Sequence, residues 1–393
     1  MKPLSVYVHI PFCTVKCGYC DFNAYAGLDH LKASYADALA AEIHGWKDLL
    51  AQRRIATVGF GGGTPGEVPA SDIARVLEAL AAVSAIDSGA EVSLEANPGT
   101  TSLSHLRALR AAGVTRISYG AQSFDSAELR FLDRIHSPEA IVASIALARE
   151  AAFESVGLDL IYGLPGQTLA AWESTLRRAI DLRPDHISAY ALTVEEGTPL
   201  GHRVARGMVT PLDGDTAAEM YDFASSVLES AGYEHYELSN WAMPGHQSRH
   251  NRVYWQDGDY LSIGAGAHGY LDGERYENLA HPRDYIAALT AGTPDTRAAV
   301  LHSYRPSEAM AMTDWVTLAL RLIDGFDPAA FERRFGQSIH DVFGPPIRAC
   351  ADAGLLAVTA DRVRLTPRGL LLHGEVAVQL LAHLEANRPS VAL

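Results

Sequence analysis

Between residues 5 and 192, short runs rich in β-branched and aromatic residues alternate with helical patterns, and this alternation restricts the possible folds more than any other feature of the 393-residue chain. The runs are Ser5–Phe12, Ile55–Gly61, Glu91–Ala96, Arg116–Gln122, Ser155–Tyr162 and His186–Leu192. Between them, Ile73, Val76, Leu77 and Leu80 fall at the i, i+3, i+4, i+7 spacing of one helix face, and Leu169, Trp172, Leu176 and Ile180 make a similar stripe. A strand followed by a helix, repeated, yields parallel strands joined by right-handed crossovers. Six such units rather than eight predict an α/β fold, a partial (β/α)6 barrel, over residues 1–232.

From Tyr233 to about Arg305 the chain becomes rich in Gly, His, Tyr and Trp. This stretch, 233–305, is expected to be a loop-rich extension with short strands packed on the barrel. Thr293-Pro294 through Arg305-Pro306 reads as a linker. Beyond it Ser307–Ile323 and Pro328–Phe335 are predicted helices, and Leu355–Leu365 a hairpin turning at Ala360-Asp361. Residues 306–393 are thus expected to form a small helical, winged-helix-like domain.

Acidic residues outnumber Lys and Arg 47 to 32, a formal net charge of −15. Phosphate binding draws on excess positive charge, so a nucleic-acid partner is not expected, and the small domain is read as structural rather than DNA-binding. Met1-Lys2-Pro3-Leu4 leads into an apolar strand without the features of a signal peptide, and no run approaches the roughly 18 apolar residues a membrane span needs. The expected location is the cytoplasm.

Three of the four cysteines, Cys13, Cys17 and Cys20, crowd into eight residues, while Cys350 stands alone in a helical segment and reads as a buried apolar thiol. A chain of this size with such a distribution is not a disulfide scaffold; clustered thiols of this kind hold metal. The spacing is C-x3-C-x2-C in the loop after the first strand. Three thiolates can ligate three irons of a cubane and leave the fourth iron open to an external molecule. Zinc is the rival. It would need a fourth protein ligand, for which His9 is the candidate, although structural zinc sites favour paired C-x2-C units.

C-x3-C-x2-C with an aromatic before the last cysteine resembles the signature of the radical S-adenosylmethionine (SAM) superfamily. The phrase His9-Ile10-Pro11-Phe12-Cys13 resembles its oxygen-independent coproporphyrinogen III oxidase branch. The resemblance implies a [4Fe–4S] cluster on Cys13, Cys17 and Cys20, with SAM chelating the open iron and cleaved there to a 5′-deoxyadenosyl radical. It assigns the loop Gly61-Gly62-Gly63-Thr64-Pro65, after the second strand, to the methionine moiety of SAM, with Gly62, Gly63 and Thr64 as contacts; side-chain-free backbone can approach a ligand closely. By itself a glycine triplet is a tight turn. Glu95 has the polarity to bind a ribose hydroxyl or an ammonium group, or is a solvated strand-end acid. Gln122, Arg134 and Asp159 fall at or after carboxyl ends of strands, the face where barrel sites assemble. In the similar oxidase these positions surround a second SAM; structural ion pairs are the alternative, and Asp159 would be costly to bury unpaired. Tyr7 and Tyr19 are placed beside SAM by the same resemblance, or are ordinary packing aromatics.

Two departures from the oxidase pattern stand out. The oxidase continues Cys-x-Cys where this chain reads Cys20-Asp21-Phe22, and its N-terminal extension of several dozen residues has no counterpart before the first strand. The run His250-Asn251-Arg252-Val253-Tyr254-Trp255 matches the H-N-x-x-Y-W motif of the HemW-type haem chaperones. It offers an imidazole for haem iron and aromatic rings to stack on porphyrin, or else His250 is a hydrogen-bonding residue. His268, within Gly264-Ala265-Gly266-Ala267-His268-Gly269-Tyr270, is a second haem candidate. The resemblance implies a protein that binds haem and passes it to haem-accepting clients, membrane respiratory enzymes among them, and allows a homodimer. The alternatives are oxidative decarboxylation of coproporphyrinogen III and an iron–sulfur sensor that binds DNA.

Overall fold

A computed structural model describes residues 1–290 and 297–386. The chain divides into two compact units. The larger comprises 1–234, 241–250 and 259–304, and the smaller 235–240, 251–258 and 305–393.

The larger unit is built on six parallel strands: β1 (Lys2–Ile10), β2 (Arg53–Gly62), β3 (Ala85–Ala96), β4 (Arg116–Gln122), β5 (Ser155–Tyr162) and β6 (His186–Ala191). They lie side by side in chain order, as the six βα units of the partial barrel predict. A seventh parallel strand, β7 (Tyr260–Ile263), pairs with the free edge of β1 through Ser5 opposite Tyr260 and Tyr7 opposite Ser262. Antiparallel β8 (His268–Leu271), β9 (Glu274–Asn278) and β10 (Val300–Tyr304) continue the sheet from there. The expected loop-rich stretch therefore supplies strands of the same sheet, these four among them. Val300–Tyr304, expected as linker, is one of them, because its residues pair with Arg275–Asn278. Thr293 and Pro294 lie outside the described residues.

Alternation along the strands separates two faces. Val6, Val8, Val58, Phe60, Leu94, Ile117, Leu158 and Ile187 are each at most 1% exposed. They form a core with the crossover helices, among them α1 (Lys32–Gly45), α2 (Ala70–Val83), α3 (Leu103–Ala112), α4 (Pro138–Glu150) and α5 (Leu169–Asp181), each packed in turn against a neighbouring helix. On α2 the predicted stripe Ile73, Val76, Leu77 and Leu80 is buried. On α5 the buried face is Trp172, Thr175, Leu176 and Ala179, while Leu169 at the first turn is exposed. The opposite, lumen face of the strands carries polar residues and glycine in register: Ser5 opposite Thr57, Tyr7 opposite Gly59, His9 opposite Gly61, Glu95 opposite Ser118, and Gly120 opposite Asp159 opposite Ser188. A sheet with one apolar face and one polar, glycine-rich face presents the latter to a ligand.

The smaller unit packs helices Glu308–Ala319, Pro328–Phe335, Ile339–Asp352 and His373–Ala386 around Phe331, Phe343, Val363 and Leu380, none of them exposed. The predicted hairpin is present as Leu356–Val358 paired antiparallel with Val363–Leu365. Cys350 is buried in this core, its Sγ 3.2 Å from Gln379 Oε1. Among the described residues no helix is long and apolar enough to cross a membrane.

Candidate active site at the carboxyl ends of the strands

The cysteine loop leaves β1 at the carboxyl end of the sheet and is pinned there by backbone. Phe12–Cys13 pairs with Tyr25–Ala26. Gly63 N donates to Ile10 O and Thr64 N to Phe12 O, both at 2.8 Å, so the glycine loop after β2 is locked against the cysteine loop. Only glycine permits this. A Cβ on Gly63 would stand 2.6 Å from Phe12 O and 2.8 Å from Ile10 O, and Gly62 has φ +107° with the His9 ring where its Cβ would be.

A continuous polar chain then links two of the cysteines. Cys13 Sγ lies 3.4 Å from Thr64 Oγ1, Asn97 Nδ2 donates to Thr64 Oγ1 at 3.0 Å, Arg134 Nη2 donates to Asn97 Oδ1 at 2.5 Å, and Arg134 Nη1 donates to Cys17 Sγ at 3.4 Å. Arg134 Nη2 also donates to Gly120 O at 2.6 Å. Burial pushes the Cys13 thiol up to about 11, Thr64 partly offsets this, and the neighbouring Cys20 and Cys17 add to it, so the three thiols feel one another. Cys20 is raised for the same first reason.

These residues fit a cubane. A sulfur that accepts from Arg134 is prepared to carry negative charge as a ligand. Arg134 Nε is a buried donor with no partner among the described residues, an orphan that a group at the site would satisfy. The alternative of a single zinc ion fits poorly. His9, its proposed fourth ligand, has Nδ1 3.1 Å from Tyr7 OH and Nε2 2.9 Å from Asn23 O. Among the described residues no three His, Cys, Asp or Glu side chains gather as around one ion. Three thiolates on three irons of a cubane need not gather so closely.

Beside this chain the lumen opens over Gly61. A Cβ built there would meet Tyr7 Cε2 at 3.1 Å and both Glu95 carboxylate oxygens at 3.2 Å, so Tyr7 and Glu95 flank a space that the glycine leaves clear. Glu95 is reached by water from the lumen, yet protein encloses it, and that enclosure together with the Asp159 charge raises its carboxyl to about 7, against a Gly62 backbone N–H that lowers it. Asp159 is not unpaired: Ser188 Oγ donates to Oδ1 at 2.7 Å and Ser118 Oγ to Oδ2 at 3.0 Å. Burial raises its carboxyl, and these hydroxyls and two arginines oppose the rise.

Tyr19 packs against Leu132, Ile161 and Leu164 next to Arg134, and burial raises its hydroxyl. Gln122 is nearly buried and takes φ 65°, and Asp133, before Arg134, takes φ 54°. Non-glycine residues held in the left-handed region cluster at functional sites. The structure thus brings Tyr7, the glycine loop, Glu95, Arg134 and Asp159 to one end of one lumen, with Gln122 beside Arg134 across Gly120.

His250 lies elsewhere in the lumen and is 4% exposed. It sits in the helix Arg249–Trp255 with Nδ1 2.8 Å from Thr57 Oγ1. His268, at the start of β8, keeps 71% of its side chain exposed, with Nδ1 3.8 Å from Glu277 Oε2.

Asn97 is the member of this polar chain that no sequence pattern marks. It sits two residues beyond Glu95 and joins the Thr64 and Arg134 arms, and the signal available was its position at a strand's carboxyl end.

Residues 7–179 match the radical SAM superfamily, and residues 307–372 match the HemN C-terminal domain. A protein of Mycobacterium tuberculosis (strain H37Rv) named heme chaperone HemW is 38% identical over 97% of this chain and 95% of its own length. The Escherichia coli (strain K12) protein of the same name is 34% identical over 97% of this chain and 99% of its own. Among solved structures, coproporphyrinogen III oxidase (HemN) from Escherichia coli, a radical SAM enzyme, matches with a TM-score of 0.82 and 26% identity over 96% of this chain and 90% of that one. A cysteine triad at the carboxyl end of a six-unit partial barrel, a locked glycine loop beside it and likeness along nearly the whole chain place this protein in the HemW family of the radical SAM superfamily.

Proposed function

We propose that this chain is a haem chaperone, which binds haem and hands it to haem-requiring proteins, respiratory enzymes among them. The observation that carries the reading is the extent of likeness to the heme chaperones, 38% identity over 97% of the chain. Cys20-Asp21-Phe22 supports it, since the oxidase pattern places a further cysteine there.

In this reading Cys13, Cys17 and Cys20 hold the [4Fe–4S] cluster, which together with SAM supplies one-electron cleavage chemistry when both are bound. Arg134 sets the charge at the Cys17 sulfur, and the Gly62–Thr64 backbone offers close approach to a small amino-acid group. Glu95 and Tyr7 would meet hydroxyl or ammonium groups over Gly61, while Gln122 and Asp159 stand beside Gly120 on the same face. Of the two motif histidines, His268 is the one whose imidazole solvent reaches, so it can meet a haem without rearrangement of the barrel.

The second reading, decarboxylation of coproporphyrinogen III, is favoured by the match to the solved oxidase over 96% of the chain. Anaerobic protein reconstituted with iron and sulfide, then given SAM, a strong reductant and coproporphyrinogen III, separates the two. The chaperone reading expects no vinyl porphyrin, and a Soret band that saturates when haem is titrated in. Catalytic vinyl product would overturn it in favour of the oxidase.

A further inference from the structure

We propose that His250 is a positioning residue of the SAM site, whose buried imidazole sets the ring of Tyr7 against the glycine loop. The proposal rests on the SAM-binding half of the reading above and is independent of haem.

Contacts with Glu91, Thr57 and Gly59 help to fix His250. Its backbone N donates to Glu91 Oε1 at 2.9 Å, and the preceding Arg249 N donates to Glu91 Oε2 at 3.1 Å. Its Nδ1 lies 2.8 Å from Thr57 Oγ1, and Thr57 in turn donates to Ser5 Oγ at 2.7 Å. A hydroxyl has one proton; given to Ser5, it leaves Thr57 as acceptor and assigns the histidine proton to Nδ1. Another contact is Gly59. A Cβ there would stand 2.5 Å from Nε2 and 2.6 Å from Cδ2, so the ring occupies the space that the missing side chain leaves.

So held, the ring lies stacked on Tyr7, with centroids 6.4 Å apart and 29° between the planes. Tyr7 is the next link outward. Its hydroxyl is 3.1 Å from His9 Nδ1, and its edge, with the Glu95 carboxylate, flanks the space over Gly61. Ser5, Tyr7, Thr57, Gly59 and Gly61 lie on one face of two paired strands, so His250 fills the lumen one layer below the candidate SAM pocket. Burial also lowers its pKa to about 4, which keeps the ring neutral against Tyr7. A histidine with its ring over Gly59 and its Nδ1 on Thr57 would have to leave both to ligate an iron outside the lumen.

The test compares His250→Ala, His250→Asn and Thr57→Val with wild type, all reconstituted anaerobically. SAM affinity is measured together with the change SAM makes in the EPR spectrum of the reduced cluster, and haem is titrated in parallel by its Soret band. We expect His250→Ala to weaken SAM binding about tenfold, the scale of one well-formed contact, and to blunt the SAM-induced spectral change. His250→Asn, which keeps an N–H near Thr57, should recover most of both. Haem affinity and the Soret position should not move. Loss of the Soret shift with SAM affinity unchanged would overturn the proposal and make His250 a haem ligand, and unchanged SAM and haem binding would overturn it as well. Should His250→Ala fail to fold, Thr57→Val removes the same hydrogen bond from the opposite side, and wild-type SAM affinity in that variant refutes the idea. Wild-type protein that binds no SAM at all would instead fail the family reading.

Discussion

Arg134 reaches Cys17: Nη1 donates to Sγ at 3.4 Å while Nη2 is held by Asn97 Oδ1 and Gly120 O. A guanidinium presents its donors in a fixed fork, so the two Nη2 contacts aim Nη1 at the sulfur. Hydrogen bonds to ligating sulfurs stabilise the reduced state of an iron–sulfur cluster and raise its potential. Arg134→Ala should therefore shift the midpoint potential of the reconstituted cluster negative by about 60 mV or more, the equivalent of one charge-assisted hydrogen bond. Arg134→Lys keeps the charge but loses the fork, and should fall between. A potentiometric titration followed by EPR reads both, and a potential unmoved in Arg134→Ala would show that the contact does not act on the cluster.

Asn97 is predicted to matter through its two arms separately. Asn97→Asp keeps an acceptor for Arg134 and loses the donor to Thr64, whereas Asn97→Leu loses both. The Asp variant should hold the potential near wild type, and the Leu variant should approach Arg134→Ala. Equal effects from both substitutions would mean that the Thr64 side, and not the Arg134 side, carries the coupling.

Gly63→Ala should be among the most damaging single-methyl additions in the chain. Its Cβ would press on two backbone oxygens, of Phe12 and Ile10, which cannot rotate away. Overpacking of this kind costs about 1–3 kcal/mol, and relief requires the Gly63–Ile10 and Thr64–Phe12 hydrogen bonds to lengthen. Isothermal titration should show SAM affinity reduced more than tenfold. Gly245→Ala, at φ +84° with nothing within 4 Å of its Cβ, is the control for backbone strain alone and should leave SAM binding intact.

The periodic part of the fold was legible because burial enforces it. Each of the six predicted strands lies where Val, Ile and Leu alternate against a helix layer, and only the ends moved, as β1 began at Lys2 and β3 at Ala85. The strands after residue 260 were harder to read. Tyr260–Ile263 and His268–Leu271 are four residues each and carry aromatics and glycine, so no period declares itself, and the first of them pairs with β1 over more than 250 residues of sequence separation. In the site, Cys13, Cys17, Cys20 and the glycine loop were visible as local patterns. Asn97 was not, since a lone asparagine before proline reads as a turn residue and only tertiary structure brings Thr64 and Arg134 to its two ends. His250 shows the same limit from the other side: the motif marked the residue, but the Thr57, Gly59 and Tyr7 neighbours come from strands some 190 residues or more upstream.

Glu42 makes folding stability fall as pH rises. Its carboxylate is 3% exposed, on α1, and accepts from Tyr285 Oη at 2.5 Å, Gly264 N at 2.9 Å and Asn278 Nδ2 at 2.8 Å. These donors favour the charged form, but burial outweighs them and raises the carboxyl to about 7. In the unfolded chain the group titrates near 4.3. Between these values the folded state binds the extra proton, so the stabilisation is full below about pH 4 and is lost as pH climbs through about 7. The scale is on the order of 3 kcal/mol for Glu42 acting alone. Glu42→Gln should flatten the slope of chemical-denaturation stability between pH 5 and 8 while preserving most of the hydrogen bonding. The loop this carboxylate ties down, Gly264–Ala267, precedes His268, so amide exchange in that loop should quicken with pH more steeply in wild type than in the Gln variant. A wild-type stability that rises over the same interval would refute the assignment of a raised carboxyl to Glu42.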